Sequence, residues 1–326
     1  MSAPGVSRGR AVSIGVAFAL AAVLLYYSLR GINWSEVSRI AAGASAARLL
    51  AVGAIATIAL FLRACRWRVL LNAEGSVSVP SVFWATTAGY FGNNFLPARA
   101  GELVRTFMIS ARSGLDAAYV LATALSERLA DVIALVSIAA VVLLTIPAPP
   151  GWLAGAIRPF AALALLGAAG IALLPFLAPH APAVIARAPM PNALRPKLVS
   201  VVDSALRGMR AFHDVRRLSA FVALTAVIWT LDAIGVVVGA SALGLEMPFR
   251  VAFLLIAGLG LGSALPSTPG YVGIYQFVAV SVLTPFGFTR NDAIAYILVA
   301  QALGYAVIGF WGSLGILRYR RARAAE

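Results

Sequence analysis

A chain of 326 residues is long enough for two or three soluble domains, but 61% hydrophobic and 12% charged residues exclude a water-soluble surface. A mean hydropathy of +0.91 and apolar runs near 20 residues read as an integral membrane protein. The charge is lopsided, 26 basic against 12 acidic residues, and every basic residue but Lys197 is Arg. In a soluble chain that balance would suggest nucleic acid; here it reads as Arg collected on the inner side of a membrane, with no nucleic-acid partner.

In chain order, the first apolar run is 11–29, preceded by Arg8 and Arg10, and it reads as a retained span that starts inside. Residues 33–48 carry Trp34, Val37 and Ile40 at helical spacing, the pattern of an amphipathic helix in the interface. A second span is expected at 49–71. The stretch 82–111 is too interrupted for one crossing, because Leu96-Pro97-Ala98-Arg99-Ala100-Gly101-Glu102 splits it into two short arms. Irregular backbone at membrane depth survives only inside protein or beside a wet cavity, so a re-entrant hairpin is expected. Further spans are expected at 117–146 and 152–178, then a basic amphipathic cytoplasmic segment at 179–217 and a span at 218–243. Residues 250–285 form a second broken pair, interrupted by Leu265-Pro266-Ser267-Thr268-Pro269-Gly270. A last span at 292–317 ends in Arg318, Arg320, Arg321 and Arg323.

The expectation is therefore a single all-α membrane domain with six full spans, two re-entrant hairpins and both termini cytoplasmic. The predicted inner segments hold 17 basic residues and the outer ones five, as the positive-inside rule requires. The order, two spans then a hairpin then a span, occurs twice, with the hairpins entering from opposite sides. That is the pattern of an inverted repeat, over 11–146 and 152–317. Laid over each other at an offset of 169, the hairpins match Val82 to Val251, Ala88-Gly89 to Ala257-Gly258, Leu96-Pro97 to Leu265-Pro266 and Gly101 to Gly270.

Glu102, Glu127, Asp131 and Asp232 lie within predicted membrane segments, where a lone charge costs at least about 2.5–3.5 kcal/mol. Such groups are functional candidates by default. Glu127 and Asp131 share a helix face at i, i+4 and need a cation between them. Arg99 and Arg105 are the candidates for it, while Arg63, Arg66 and Arg68 read as snorkelling to the inner interface. The functional reading is a polar cavity whose guanidinium groups hold a phosphate headgroup while carboxylates orient them. The alternative is an ion-pair network that only fixes helix packing. Candidate binding residues are Asn93, Asn94, Arg99, Glu102, Arg105, Glu127, Arg128 and Asp131. Pro97, Gly101, Pro266, Pro269, Gly270 and Gly273 mark the backbone breaks, and Asp232 is a candidate for proton coupling or a plain helix–helix hydrogen bond. A single Cys65 excludes an internal disulfide, and His180 and His213 share one polar segment. No metal site, P-loop or Ser-His-Asp set is expected, and no cofactor.

Taken together, Arg63-x-x-Arg66-Trp67-x-x-Leu70-Leu71, Asn93-Asn94-x-x-Pro97-x-Arg99-x-Gly101-Glu102-x-x-Arg105, Glu127-Arg128-x-x-Asp131 and Pro266-x-x-Pro269-Gly270-x-x-Gly273 resemble the lysylphosphatidylglycerol synthase transmembrane region, a flippase-like family. The resemblance runs over about 60–310. It implies a stand-alone flippase-like protein of the bacterial inner membrane with membrane lipids as partners. In the family's multidomain synthases this region is associated with moving aminoacylated phospholipid across the membrane, and a separate soluble domain makes the lipid. The family often continues its Pro-Gly stretch as Gly-x-Gly-x-x-Glu; here Tyr271 and Gln276 stand in place of a Gly and the Glu. Two other functions stay open: a membrane enzyme modifying a lipid headgroup with Glu127 or Asp131 as base, and a non-catalytic partner of a lipid-synthesis enzyme.

Overall fold

The computed structural model describes residues 8–95, 100–146, 195–263 and 268–323, together with 155, 158–159, 161–167, 169–170 and 173. Eleven α-helices carry the described architecture. They are α1 (Arg8–Leu29), α2 (Trp34–Ala42), α3 (Ala46–Leu71), α4 (Val79–Phe95), α5 (Gly101–Ser113) and α6 (Ala117–Leu144) in the first half. The second half has α7 (Arg195–Gly208), α8 (Val215–Ala242), α9 (Phe249–Gly262), α10 (Ile274–Leu283) and α11 (Arg290–Arg323). Among the described residues there is no β-strand.

Three described helices are both long and apolar enough to cross a bilayer: Ala46–Leu71, Val215–Ala242 and Arg290–Arg321. Helix α6 is as long as α8 but carries Glu127, Arg128 and Asp131 near its middle. The two stretches read as broken hairpins are broken in the structure: α4 packs on α5, and α9 packs on α10. All four arms are shorter than the ~20 residues a straight crossing takes. The span expected at 152–178 lies largely, and residues 179–194, Pro97, Arg99 and Pro266 lie wholly, outside the described residues.

Caps set the helix starts. Asn33 accepts the amides of Ser35 and Glu36 to open α2, Asp116 accepts that of Tyr119 to open α6, and Asp214 accepts those of Arg216 and Arg217 to open α8. Helix α2 is anchored to the rest of the chain. Val37 is buried in the core, and Asn291 on α11 donates to Glu36 at 2.6 Å. The basic segment is likewise tied down where it is described: α7 packs on α6, and Arg207 pairs with Glu74 and Asp116.

The apolar core has two main parts. Trp67, Val82, Ala85, Ala88 and Tyr119 gather around the first hairpin, and Val251, Leu255, Leu283, Ala293 and Ile294 around the second. Helices α3 and α8 pack along each other between them.

Candidate functional site

The ionisable side chains of the membrane segments converge where α3, α4, α5, α6 and α8 meet. Arg66 on α3 is 1% exposed and lies between the two carboxylates of α6. Its Nη2 donates to Glu127 Oε1 and to Asp131 Oδ2, each at 3.0 Å, and its Nη1 donates to Thr225 Oγ1 at 3.2 Å. Arg66 is therefore the cation that the i, i+4 carboxylates require. It does not snorkel, because its whole guanidinium is consumed inside the helix packing. Arg63 also stays inside, where it pairs with Asp232 on α8. Arg68 donates to the Val77 carbonyl at 2.6 Å.

Arg105, on α5, fills the other side of Glu127. Its Nη1 donates to Glu127 Oε2 at 2.8 Å, its Nε donates to Glu102 Oε2 at 2.6 Å, and its guanidinium lies 4.4 Å from the Trp67 ring centre. Arg105 and Glu127 are nearly inaccessible. Arg128 is different. Its side chain is 30% exposed; its Nε donates to Glu102 Oε1 at 3.1 Å and its Nη2 to the Tyr90 hydroxyl at 3.2 Å. Asn93 joins the same carboxylate, its Nδ2 donating to Glu102 Oε1 at 3.2 Å.

The cluster is charge-balanced: Arg63, Arg66, Arg105 and Arg128 against Glu102, Glu127, Asp131 and Asp232. Buried ion pairs survive only when such balance and hydrogen bonding offset desolvation. Arg66 and Arg105 form its closed interior. Arg63, Arg128, Glu102, Asp131 and Asp232 face a cavity of about 370 Å³, within the size of a small-molecule site. Asn93, Asn94, Tyr90 and Trp229 complete its polar wall.

The second hairpin closes the cavity from the other side. Ser263, Tyr271 and Tyr275 line it, so residues flanking both breaks share one space. A mostly apolar cleft of about 300 Å³ adjoins it, lined by Val52, Ile55, Val236, Ile297 and Ala300. Asn94, Asp232, Leu259, Tyr271, Tyr275 and Ile308 border both spaces.

At the second break, Gly270 and Gly273 have φ of 72° and 90°, and a Cβ on Gly273 would strike the Ala21 backbone of α1. Gln276 ties the turn: it accepts the Gly273 amide at 2.7 Å and donates to Gln301 at 2.6 Å, and Gln301 donates to the Gly270 carbonyl at 3.0 Å. Between the glycines, Tyr271 has φ of 61°, the one positive-φ non-glycine among the described residues. That conformation costs a side-chain-bearing residue roughly 1–2 kcal/mol. The Tyr271 ring stacks on Tyr275 at 5.0 Å and 12°.

The structure thus brings together seven of the expected binding residues, Asn93, Asn94, Glu102, Arg105, Glu127, Arg128 and Asp131, with Arg99 outside the described residues. Arg63 and Arg66, expected to snorkel, join the cluster instead, and their i, i+3 spacing does place both on one face of α3; the aromatic wall of Tyr90, Trp229, Tyr271 and Tyr275 was not among the expected binding residues. Among the described residues no group of His, Cys, Asp and Glu could hold a metal ion.

Comparison with known proteins agrees with a membrane role. Glycosyltransferase AglD of Haloferax volcanii is 27% identical over 94% of this chain and 54% of its own length. The chain thus spans about half the length of the curated relative it matches. No solved structure matches. The sequence profile described as lysylphosphatidylglycerol synthase TM region matches residues 12–312, nearly the entire chain, and the protein belongs to that membrane family.

Proposed function

We propose that the protein is a flippase-like transporter of the bacterial inner membrane that moves a phosphate-bearing lipid between leaflets. The observation that carries this reading is the pairing of two adjoining spaces, one charged and one apolar, matched to the two ends of an amphiphile. The phosphate binds Arg128, whose guanidinium is the most accessible of the cluster, with Arg63 as second ligand. Arg66, Arg105 and Glu127 hold the surrounding helices in register without touching the lipid. The two hairpins move about their breaks, and Asp232 exchanges Arg63 for a proton as the headgroup passes.

An inverted repeat supports alternating access. An offset of 169 carries Ala46, the first residue of α3, to Val215, the first of α8, and it brings α4, α5 and α6 onto the neighbourhoods of α9, α10 and α11. Transport is favoured over headgroup chemistry because each cavity carboxylate already holds an arginine, which would have to leave before the carboxylate could take a proton from a substrate.

The test is leaflet exchange in liposomes carrying the purified chain and short-chain fluorescent phosphatidic acid or phosphatidylglycerol. Wild type should accelerate exchange, and Arg128→Gln should abolish it while unfolding at the wild-type temperature. No acceleration for either lipid, or a chemically altered lipid recovered from the vesicles, would overturn the proposal.

A further inference from the structure

Tyr271 holds a backbone conformation that glycine would adopt freely, and it does so at the border between the charged and the apolar space. Backbone strain of this kind persists where the side chain is needed. What the strain places is an aromatic surface: Tyr271 stacked on Tyr275, both half-buried, lining one cavity with Asn93 and Trp229.

Among the described residues that line this cavity, Trp229 Nε1, Asn93 Oδ1 and Asp131 Oδ1 are buried without a hydrogen-bond partner. Asp131 Oδ1 is ion-paired with Arg66 at 2.7 Å, which leaves one neutral donor and one neutral acceptor. The charged groups, by contrast, cancel, and every carboxylate on the wall already holds a guanidinium. A further ammonium group would add charge to a cluster that already balances. A hydroxyl adds none, and since it both donates and accepts it can satisfy either orphaned atom. A buried polar atom left unpaired costs free energy, so such atoms mark where a ligand belongs.

We propose that Tyr271 is a specificity-determining residue and that the lipid phosphate handled here carries a sugar ring, seated with its C–H face on the Tyr271–Tyr275 stack. The C–H groups of a pyranose face carry partial positive charge and meet the negative face of an aromatic ring, while its hydroxyl rim reaches Trp229 and Asn93. Arg128 keeps the phosphate, and the apolar cleft beyond the tyrosines takes the start of the lipid chain. This inference rests on the phosphate-lipid reading above and adds the class of headgroup.

The experiment titrates the full-length chain in detergent with three fluorescent short-chain probes: a bare lipid phosphate, the same lipid with a hexose on its phosphate, and the same lipid with ethanolamine there. Wild type should bind the hexosyl probe about tenfold tighter than the bare phosphate, the size of one good aromatic contact. Tyr271→Gly should lose the preference, binding the hexosyl probe no tighter than the bare phosphate, and unfold at the same or a higher temperature. Tyr271→Asn, which also tolerates positive φ, should behave alike and guards against a misfolded glycine variant. Three results overturn the inference: no hexose preference in wild type, tightest binding of the ethanolamine probe, or a preference that survives both substitutions. Loss of all three probes together with a lower unfolding temperature in both variants also overturns it, since Tyr271 would then be structural. If wild type binds none of the probes, the phosphate-lipid reading itself falls.

Discussion

Arg63 and Asp232 stand 169 residues apart and form an ion pair between α3 and α8. The same offset relates the two Leu-Pro breaks and the first residues of these two helices. Under the inverted-repeat reading, Arg63 and Asp232 are equivalent positions of opposite charge, meeting where the halves face each other. The pair is also on the wall of the charged cavity, so in the proposed cycle it is both a clasp between α3 and α8 and a point that a headgroup would pass.

The clasp should be measurable as coupling. At 16% and 20% exposure the pair is neither at the surface nor dry. A double-mutant cycle with Arg63→Ala and Asp232→Ala should give a coupling energy of about 1 kcal/mol by thermal unfolding in detergent. The charge-exchanged pair, Arg63→Asp with Asp232→Arg, should recover part of that stability. Additive single effects would show that the two halves do not communicate through these side chains.

Arg66 and Arg128 should separate stability from function. Arg66→Met leaves Glu127 and Asp131 buried without the cation between them, and breaking a buried pair this way costs about 3–5 kcal/mol. It should lower the unfolding temperature sharply and abolish transport as a consequence. Arg128→Gln keeps a donor for Glu102 on a partly exposed side chain, so it should unfold near wild type and fail in leaflet exchange. Equal loss of stability in both variants would mean that Arg128 is as structural as Arg66.

The all-helical character and the two interruptions were legible because their signals are local. Apolar runs mark α3, α8 and α11, and Pro, Gly and charge mark the interruptions after Phe95 and Gly262. The membership of the charged cluster was legible only in part. Glu127, Asp131 and Asp232 stand out because a carboxylate in an apolar run has no cheap alternative to a partner. Arginines near a helix end do have one, which is to snorkel, so Arg63 and Arg66 read as interfacial from sequence alone. What turns Arg66 inward is tertiary: α6 and α8 present Glu127, Asp131 and Thr225 to one face of α3. The inaccessibility of Arg105 was hidden for the same reason. Its sequence spacing from Glu102 gives the pair but not the Trp67 ring that covers it. Tyr271 was visible as a departure from the family pattern, but its strained backbone and its stack with Tyr275 belong to the folded chain alone.

Gly101 should be intolerant of any side chain. It sits where α5 begins, and a Cβ there would overlap the Gly89 carbonyl oxygen and press on Asn93 of α4. Gly101→Ala must therefore spread the arms of the first hairpin and disturb Asn93, which holds Glu102. A loss of about 1–3 kcal/mol is expected from overpacking, read as a lower unfolding temperature. Gly309→Ala is the control. Nothing lies within 4 Å of its added methyl in the middle of α11, so it should be neutral or gain up to about 1 kcal/mol from helix propensity.

Gln276 tests whether the second break is held by neutral hydrogen bonds. Its amide oxygen takes the Gly273 amide and its amide nitrogen reaches Gln301, which in turn holds the Gly270 carbonyl beside the Tyr305 hydroxyl. Gln276 is 3% exposed, so water cannot replace a lost partner. Gln276→Leu fills a similar volume but strands the Gly273 donor and the Gln301 acceptor, at a cost of about 1–3 kcal/mol for each group left unpaired. Gln276→Glu retains the acceptor for Gly273 but offers Gln301 no donor when ionised, and it buries a charge with no arginine beside it. Both variants should unfold at lower temperature than wild type. Amide hydrogen exchange should rise at 270–276 while that of α3 and α6 stays unchanged, because the charged cluster lies on other helices. Faster exchange spread evenly over α3, α6 and the break would show that Gln276 supports the whole bundle rather than this turn.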